Sequence, residues 1–155
     1  MKKFLFVLIC FIFIGSVNAE TLAKNAKSAI LIEASTGEII YEHNSHEKLE
    51  PASMTKMMSL LLVMESIEKG VIKWDQIVTV SSNASSMGGS QILLETNEKM
   101  SVEDLVKGVS IASGNDAIVA LSEVIAGTEE NFVSMMNRKA KELGLKDTNF
   151  KNCDG

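Results

Sequence analysis

The chain has 155 residues, with 20 acidic against 15 basic side chains and a net charge of −5. This balance excludes nucleic-acid binding through a basic face, which needs clustered Lys and Arg. Cysteine occurs twice, at Cys10 and Cys153, too sparsely for a disulfide framework, so stability has to come from a packed core.

The first twenty residues carry Lys2 and Lys3, an apolar run from Phe4 to Ile14, and then Val17-Asn18-Ala19. This is the three-part layout of a secretory signal peptide, with cleavage expected after Ala19. The apolar run is too short for a bilayer core, which takes about 20 residues of helix. Ile9 is not the small residue that precedes a lipidated cysteine, so Cys10 is not expected to carry lipid. The expected exported product, residues 20–155, keeps 13 basic and 20 acidic side chains and one cysteine, and its length fits one modest domain. It closes on Asn152-Cys153-Asp154-Gly155, a turn-like stretch, and is expected to be part of something longer.

In chain order, Ser28–Glu33 and Glu38–Glu42 are short β-branched runs around Ala34-Ser35-Thr36-Gly37, the pattern of a β-hairpin. After a polar loop, Pro51 suits the first turn of a helix that runs to about Lys69 and stops at Gly70. Its apolar residues, among them Met57, Met58, Leu61, Leu62, Val63 and Met64, lie nearly all round the cylinder and predict a buried helix. Val78–Val80 predicts a short strand, residues 81–90 a small-residue surface loop, and Ile92-Leu93-Leu94 a packed connection. Ser101, with Asp104 at the capping-box position, opens a helix with Val102, Leu105, Val106 and Val109 at helical spacing. A break at Ser113-Gly114-Asn115 precedes a helix through Ile125, and Thr128 opens a last one with Phe132, Met135, Met136, Ala140 and Leu143 on one face. The expected class is α/β, short of strands, because a two-stranded sheet seldom stands alone.

Ser53 and Lys56 lie three residues apart in "SMTK", which puts their side chains on one helix face. Ser53 falls in the first turn, where free N–H groups and the helix dipole favour a developing negative oxygen. A serine hydroxyl needs a base to become a nucleophile. A lysine in apolar surroundings can be that base, because desolvation disfavours its ammonium form. The competing reading makes Ser53 and Thr55 ordinary helix-start residues and lets Lys56 reach out to water. Ser113-Gly114-Asn115 is a second element, a short turn able to aim a hydroxyl and an amide into a cleft. Beside a Ser/Lys pair, Ser113 can pass a proton to a leaving group, and Asn115 can donate to a substrate carbonyl while accepting from Lys56. Alone, Ser-Gly-Asn is a helix cap, and Asp116 is expected to serve the first turn of the next helix.

With these motifs embedded in "ILIEASTGEIIYEHNSHEKLEPASMTKMM", "GGSQILLETNEKMSVEDLVKGVSIASGNDA" and "NFKNCDG", the chain resembles the secreted serine D-alanyl-D-alanine carboxypeptidases, the low-molecular-mass penicillin-binding proteins, from about Ala23 to Gly155. The resemblance implies a β-lactamase/transpeptidase-like α/β fold, with an antiparallel sheet and a helical cluster that carries both motifs. It implies Ser53 as the acylated nucleophile, Lys56 as its base, and Ser113 and Asn115 as the second motif. The implied substrate is a peptidoglycan stem peptide ending in D-Ala-D-Ala, β-lactam antibiotics acylate the same serine, and no metal or organic cofactor is implied. The implied location is outside the cytoplasmic membrane, at the cell wall, with membrane attachment through a later C-terminal segment in many relatives.

One departure stands out. The family's Lys-Thr-Gly motif is absent, and Thr36-Gly37 follows Ser35 in a hairpin turn. That motif and the later strands are expected beyond Gly155, and residues 20–155 by themselves are expected to be inactive. A β-lactamase is the first alternative, but Gly114 stands where class A enzymes have aspartate, and no E-x-x-x-N run follows Asn115. A non-catalytic wall-associated protein is the second. His43 and His46 lack an evident third metal ligand, and Trp74 and the methionines suit packing. Cys153 is a candidate reactive thiol without a partner.

Overall fold

The computed structural model describes residues 22–155, so the expected export signal lies outside the described residues. They divide into two units between Leu49 and Glu50. The first holds a hairpin of β1 (Ala29–Ile32) and β2 (Ile39–His43), antiparallel, with Leu31 opposite Tyr41 and a register shift between Leu31 and Ile32. Its turn is organised by Glu33, whose carboxylate accepts from the Ser35 hydroxyl at 2.7 Å and from the Ser35 and Thr36 N–H groups at 2.9 and 2.6 Å. Those hydrogen bonds, led by the Ser35 hydroxyl, draw the Glu33 pKa down to about 2.

The second unit opens with a 3-10 turn, Ala52–Thr55, preceded by Pro51 and continued as α1 (Lys56–Glu68). The sequence predicts α1 buried nearly all round; it is buried on one side only. Lys56, Met58, Ser59, Leu62, Val63 and Ser66 face inward, whereas Met57 is 73% exposed and Leu61 and Met64 also face outward. The apolar pattern did not orient this helix because its inner face includes Lys56, Ser59 and Ser66. These polar groups are buried with their hydrogen bonds made inside the protein.

The predicted strand is β3 (Ile77–Thr79), and it pairs antiparallel with an unpredicted β4 (Lys99–Ser101), Val78 opposite Met100. Residues 81–90 are not wholly loop: Ser81 caps a single helical turn, α2 (Ser82–Ser85), by accepting from the Ala84 N–H at 3.0 Å. Ser101 ends β4 and caps α3 (Val102–Ala112), accepting from the Asp104 N–H at 3.1 Å while donating to its carboxylate at 2.8 Å. After the Ser113-Gly114 break come α4 (Asn115–Ala126) and, capped by Thr128, α5 (Glu129–Glu142). α4 is the central helix, with every residue from Asp116 to Ser122 buried, and it packs against α1, α2, α3, α5 and β3. Val63, Leu105, Ile118, Leu121, Phe132 and Met136 fill the core around it. Each such side chain contributes about 1.5–3 kcal/mol on leaving water. The packing of α1 and α3 on α4 sets the two motif-bearing turns side by side.

Candidate active site

Ser53 sits in the exposed 3-10 turn, one residue after Ala52, whose φ of 48° lies in the left-handed region. The Lys56 side chain, on the next turn, points inward and is 4% exposed. Its Nζ lies 3.1 Å from Ser53 Oγ, 2.6 Å from Asn115 Oδ1 and 2.8 Å from the Asp154 carbonyl oxygen. An ammonium has three N–H donors and these are three acceptors. The neutral amine has two N–H groups and one lone pair. With the shorter contacts, to Asn115 and Asp154, taken by the two N–H groups, the lone pair faces the longest, Ser53 Oγ. Burial pushes the Lys56 pKa below its ordinary value, against a smaller opposing pull from Asp154. In its neutral form Lys56 is placed to accept the Ser53 hydroxyl proton.

Asn115 begins α4, its own N–H donating to the Ser90 carbonyl at 2.8 Å. Its Nδ2 donates to the Gly88 carbonyl at 2.7 Å. Acceptor toward Lys56 and donor toward a carbonyl is the orientation that satisfies both partners; the flipped amide would oppose donor to donor and oxygen to oxygen. One Nδ2 hydrogen remains for another acceptor. Gly89 passes so close that a Cβ there would stand 2.8 Å from Asn115 Nδ2.

Ser113 is the residue that ends α3, with φ 57° and ψ 33°. Its hydroxyl makes no hydrogen bond among the described residues. The structure thus brings Ser53, Lys56 and Asn115 into one hydrogen-bonded group and leaves Ser113 at the adjoining break without a bond to it.

Two supporting features go beyond the sequence reading, the packing of the 152–155 segment and a wider role for Asp116. The 152–155 segment presses against the site from the far end of the described chain: the Ser59 hydroxyl donates to the Cys153 carbonyl at 2.7 Å, and the Cys153 N–H donates to Glu129 Oε1 at 3.1 Å. Gly155 approaches Ala52 so closely that a Cβ would fall 2.0 Å from its carbonyl oxygen, which only glycine avoids. Asp116 does more than serve the first turn of α4. Its buried carboxylate accepts from the Ile92 N–H at 3.1 Å and the Leu94 N–H at 3.0 Å, fastening the loop that leads back to Gly88. Leu94 is packed as expected, but Leu93 between these anchors is 78% exposed, at φ 62°.

Comparison with known proteins decides the family. The chain matches the peptidase S11 family, D-alanyl-D-alanine carboxypeptidase, over residues 16–155. It belongs to that family. It is 59% identical over 134 residues to the D-alanyl-D-alanine carboxypeptidase DacF of Bacillus subtilis, an alignment covering 86% of this chain and 34% of that protein. Among solved structures it is similar to the carboxypeptidase DacD of Francisella tularensis, with a TM-score of 0.81 and 40% identity over 84% of this chain and 32% of that one. Penicillin binding protein 5 of Haemophilus influenzae follows at a TM-score of 0.80 and 38% identity, covering 84% and 39% of the two chains. The chain therefore spans about a third of the length of these relatives, and its fold is the expected penicillin-binding-protein type of α/β structure.

The remaining candidates lie elsewhere. His43 and His46 line a shallow hollow at Glu42–Glu47, and no group of three metal-ligating side chains occurs among the described residues. Trp74 borders a surface groove with Glu103, Val106 and Lys107. Cys153 is not a reactive thiol: it is fully buried, and burial, followed by the charge of Glu129, pushes its pKa far above the ordinary range.

Proposed function

We propose that the full-length protein is a serine D-Ala-D-Ala carboxypeptidase that works through an acyl-enzyme on peptidoglycan stem peptides and is acylated by penicillins. The observation that carries this reading is Lys56 Nζ, buried, within 3.1 Å of Ser53 Oγ and 2.6 Å of Asn115 Oδ1 at once. Neutral Lys56 takes the Ser53 hydroxyl proton as Oγ attacks the carbonyl of the penultimate D-alanine. The free Nδ2 hydrogen of Asn115 binds a substrate carbonyl, and Ser113 carries a proton to the departing D-alanine nitrogen. Water then cleaves the ester and restores Ser53. Carboxypeptidase names among the relatives and a penicillin-binding protein among the structural neighbours support the substrate class.

In this reading residues 1–19 are an export signal, residues 20–155 belong to the peptidase domain, and the enzyme works outside the cytoplasmic membrane. Among the described residues no helix is long and apolar enough to cross a membrane. The test is covalent labelling of the full-length protein with a fluorescent penicillin. Wild type is expected to label and Ser53→Ala to remain dark; a labelled Ser53→Ala variant would move the nucleophile to another residue. Rapid multiple turnover of a chromogenic cephalosporin would instead favour the β-lactamase alternative.

A further inference from the structure

The acceptor that completes Lys56 is a main-chain carbonyl, that of Asp154, and a carbonyl is only as well placed as its backbone. The backbone around Asp154 is held by three side chains: Asn152, whose Oδ1 accepts from the Gly155 N–H at 2.8 Å, and two from different helices. Ser59, one turn along α1 from Lys56, donates to the Cys153 carbonyl at 2.7 Å. Glu129, the first residue of α5, accepts from the Cys153 N–H at 3.1 Å. Both polar groups of Cys153 are thereby fixed, and the next carbonyl in the chain is the one 2.8 Å from Lys56 Nζ. The Cys153 side chain is itself fully buried.

Building on the acyl-serine reading above, we propose that Glu129 is a positioning residue for the Ser53–Lys56 pair, acting through the Cys153 N–H and the Asp154 carbonyl. Glu129 touches neither Ser53 nor Lys56. With its acceptor removed, the Asn152–Cys153 peptide loses its anchor; Asn152, whose Oδ1 holds the Gly155 N–H on the same peptide as the Asp154 carbonyl, shifts with it, and that carbonyl leaves Lys56. The neutral amine then has one N–H without a fixed acceptor, and its lone pair is no longer held toward Ser53 Oγ. The effect falls on proton transfer from Ser53 and leaves untouched the surface that first binds a β-lactam. Gln at position 129 offers an oxygen at the same reach and serves equally well, since an acceptor and not a charge is what the N–H requires.

The experiment measures acylation of the full-length protein by a fluorescent penicillin over a range of concentrations, separating the limiting rate from the half-saturating concentration. Glu129→Ala is expected to lower the limiting rate about tenfold, the scale of one lost hydrogen bond. Half-saturation is expected to stay within twofold, and Glu129→Gln to acylate at the wild-type rate. Should the alanine variant not fold, Glu129→Met, which keeps the chain length without an acceptor oxygen, is read in the same way. A wild-type limiting rate in the alanine or methionine variant overturns the proposal, and so does a glutamine variant as slow as alanine. A wild-type protein that fails to label overturns the acyl-serine reading itself, a result distinct from either.

Discussion

At the head of α1, Lys56 has three acceptors around one nitrogen, drawn from its own turn, from α4 and from the 152–155 segment. At the α3–α4 break, one helix–helix contact away, Ser113 holds a left-handed backbone and its hydroxyl has no hydrogen-bond partner among the described residues. The first region is fixed by its side-chain bonds, the second by its backbone alone. Change at position 56 therefore disturbs both chemistry and structure, whereas change at position 113 reaches chemistry with little structural cost. Asn115 stands between them, starting a helix and bonding to both Lys56 and Gly88.

The largest effect is expected from Lys56→Met, which keeps an unbranched side chain and removes the base. The rate of acylation by a fluorescent penicillin should fall about 1,000-fold or more, and retention within tenfold would dissolve the contrast by showing that another group takes the proton. The same variant isolates the titration of Lys56. Its pKa is lowered in the folded state, so between that value and the ordinary 10.5 the unfolded chain binds more protons than the folded one. Stability conferred by Lys56 must then rise as pH rises through this window. Thermal melts of wild type minus Lys56→Met should climb with pH up to about 10.5, the unfolded value, and a falling difference would mean that the ammonium is favoured inside the protein. The acylation rate should rise with pH over the lower part of the same window.

Next in size is Asn115→Ala, expected to slow acylation about 100-fold, the scale of losing one preorganised polar contact at a reacting centre. It should also cost about 1–3 kcal/mol in denaturant melts, because the buried Lys56 nitrogen loses its shortest partner. A variant slowed but not destabilised would place Asn115 with Ser113 in this comparison, and not with Lys56.

How much of this arrangement the sequence discloses depends on the kind of partner. Contacts between side chains were legible: Ser53 beside Lys56 by their spacing, and Asn115 accepting from Lys56 from a turn between two helical patterns; Ser113 in that turn makes no such contact among the described residues. The hairpin turn, the caps at Ser101 and Thr128, and the stop at Gly70 follow from local chemistry and were legible too. Main-chain acceptors were not. The carbonyls of Gly88, Cys153 and Asp154 leave no mark of their own in the sequence. The orientation of α1 was hidden because hydrophobicity counts Met57 and Met64 as core and Lys56 as surface, the reverse of what is found. β4 was missed because Lys99-Met100-Ser101 is too short for an alternating pattern, and its pairing to Ile77–Thr79 spans about twenty residues.

The smallest effect is expected at Ser113, and it tests the contrast most finely. Ser113→Ala removes a hydroxyl with no hydrogen bond among the described residues and keeps a side chain of similar demand at φ 57°. Folding stability should stay within about 0.5 kcal/mol of wild type, as for substitutions that break no buried bond. If the hydroxyl carries a proton to the leaving nitrogen, the loss should be larger on a D-Ala-D-Ala peptide, whose amine is a poor leaving group, than on a β-lactam, whose strained ring opens readily. Parallel measurements of peptide hydrolysis and penicillin acylation in the full-length protein give that ratio directly. A drop of about 100-fold on the peptide, general acid catalysis being worth about 100- to 10,000-fold, beside a smaller drop on the β-lactam, is the expected outcome. Equal losses on both would place Ser113 in substrate binding. A loss of stability comparable to that of Asn115→Ala would mean that the hydroxyl, like Lys56, is held by bonds that the folded protein cannot spare.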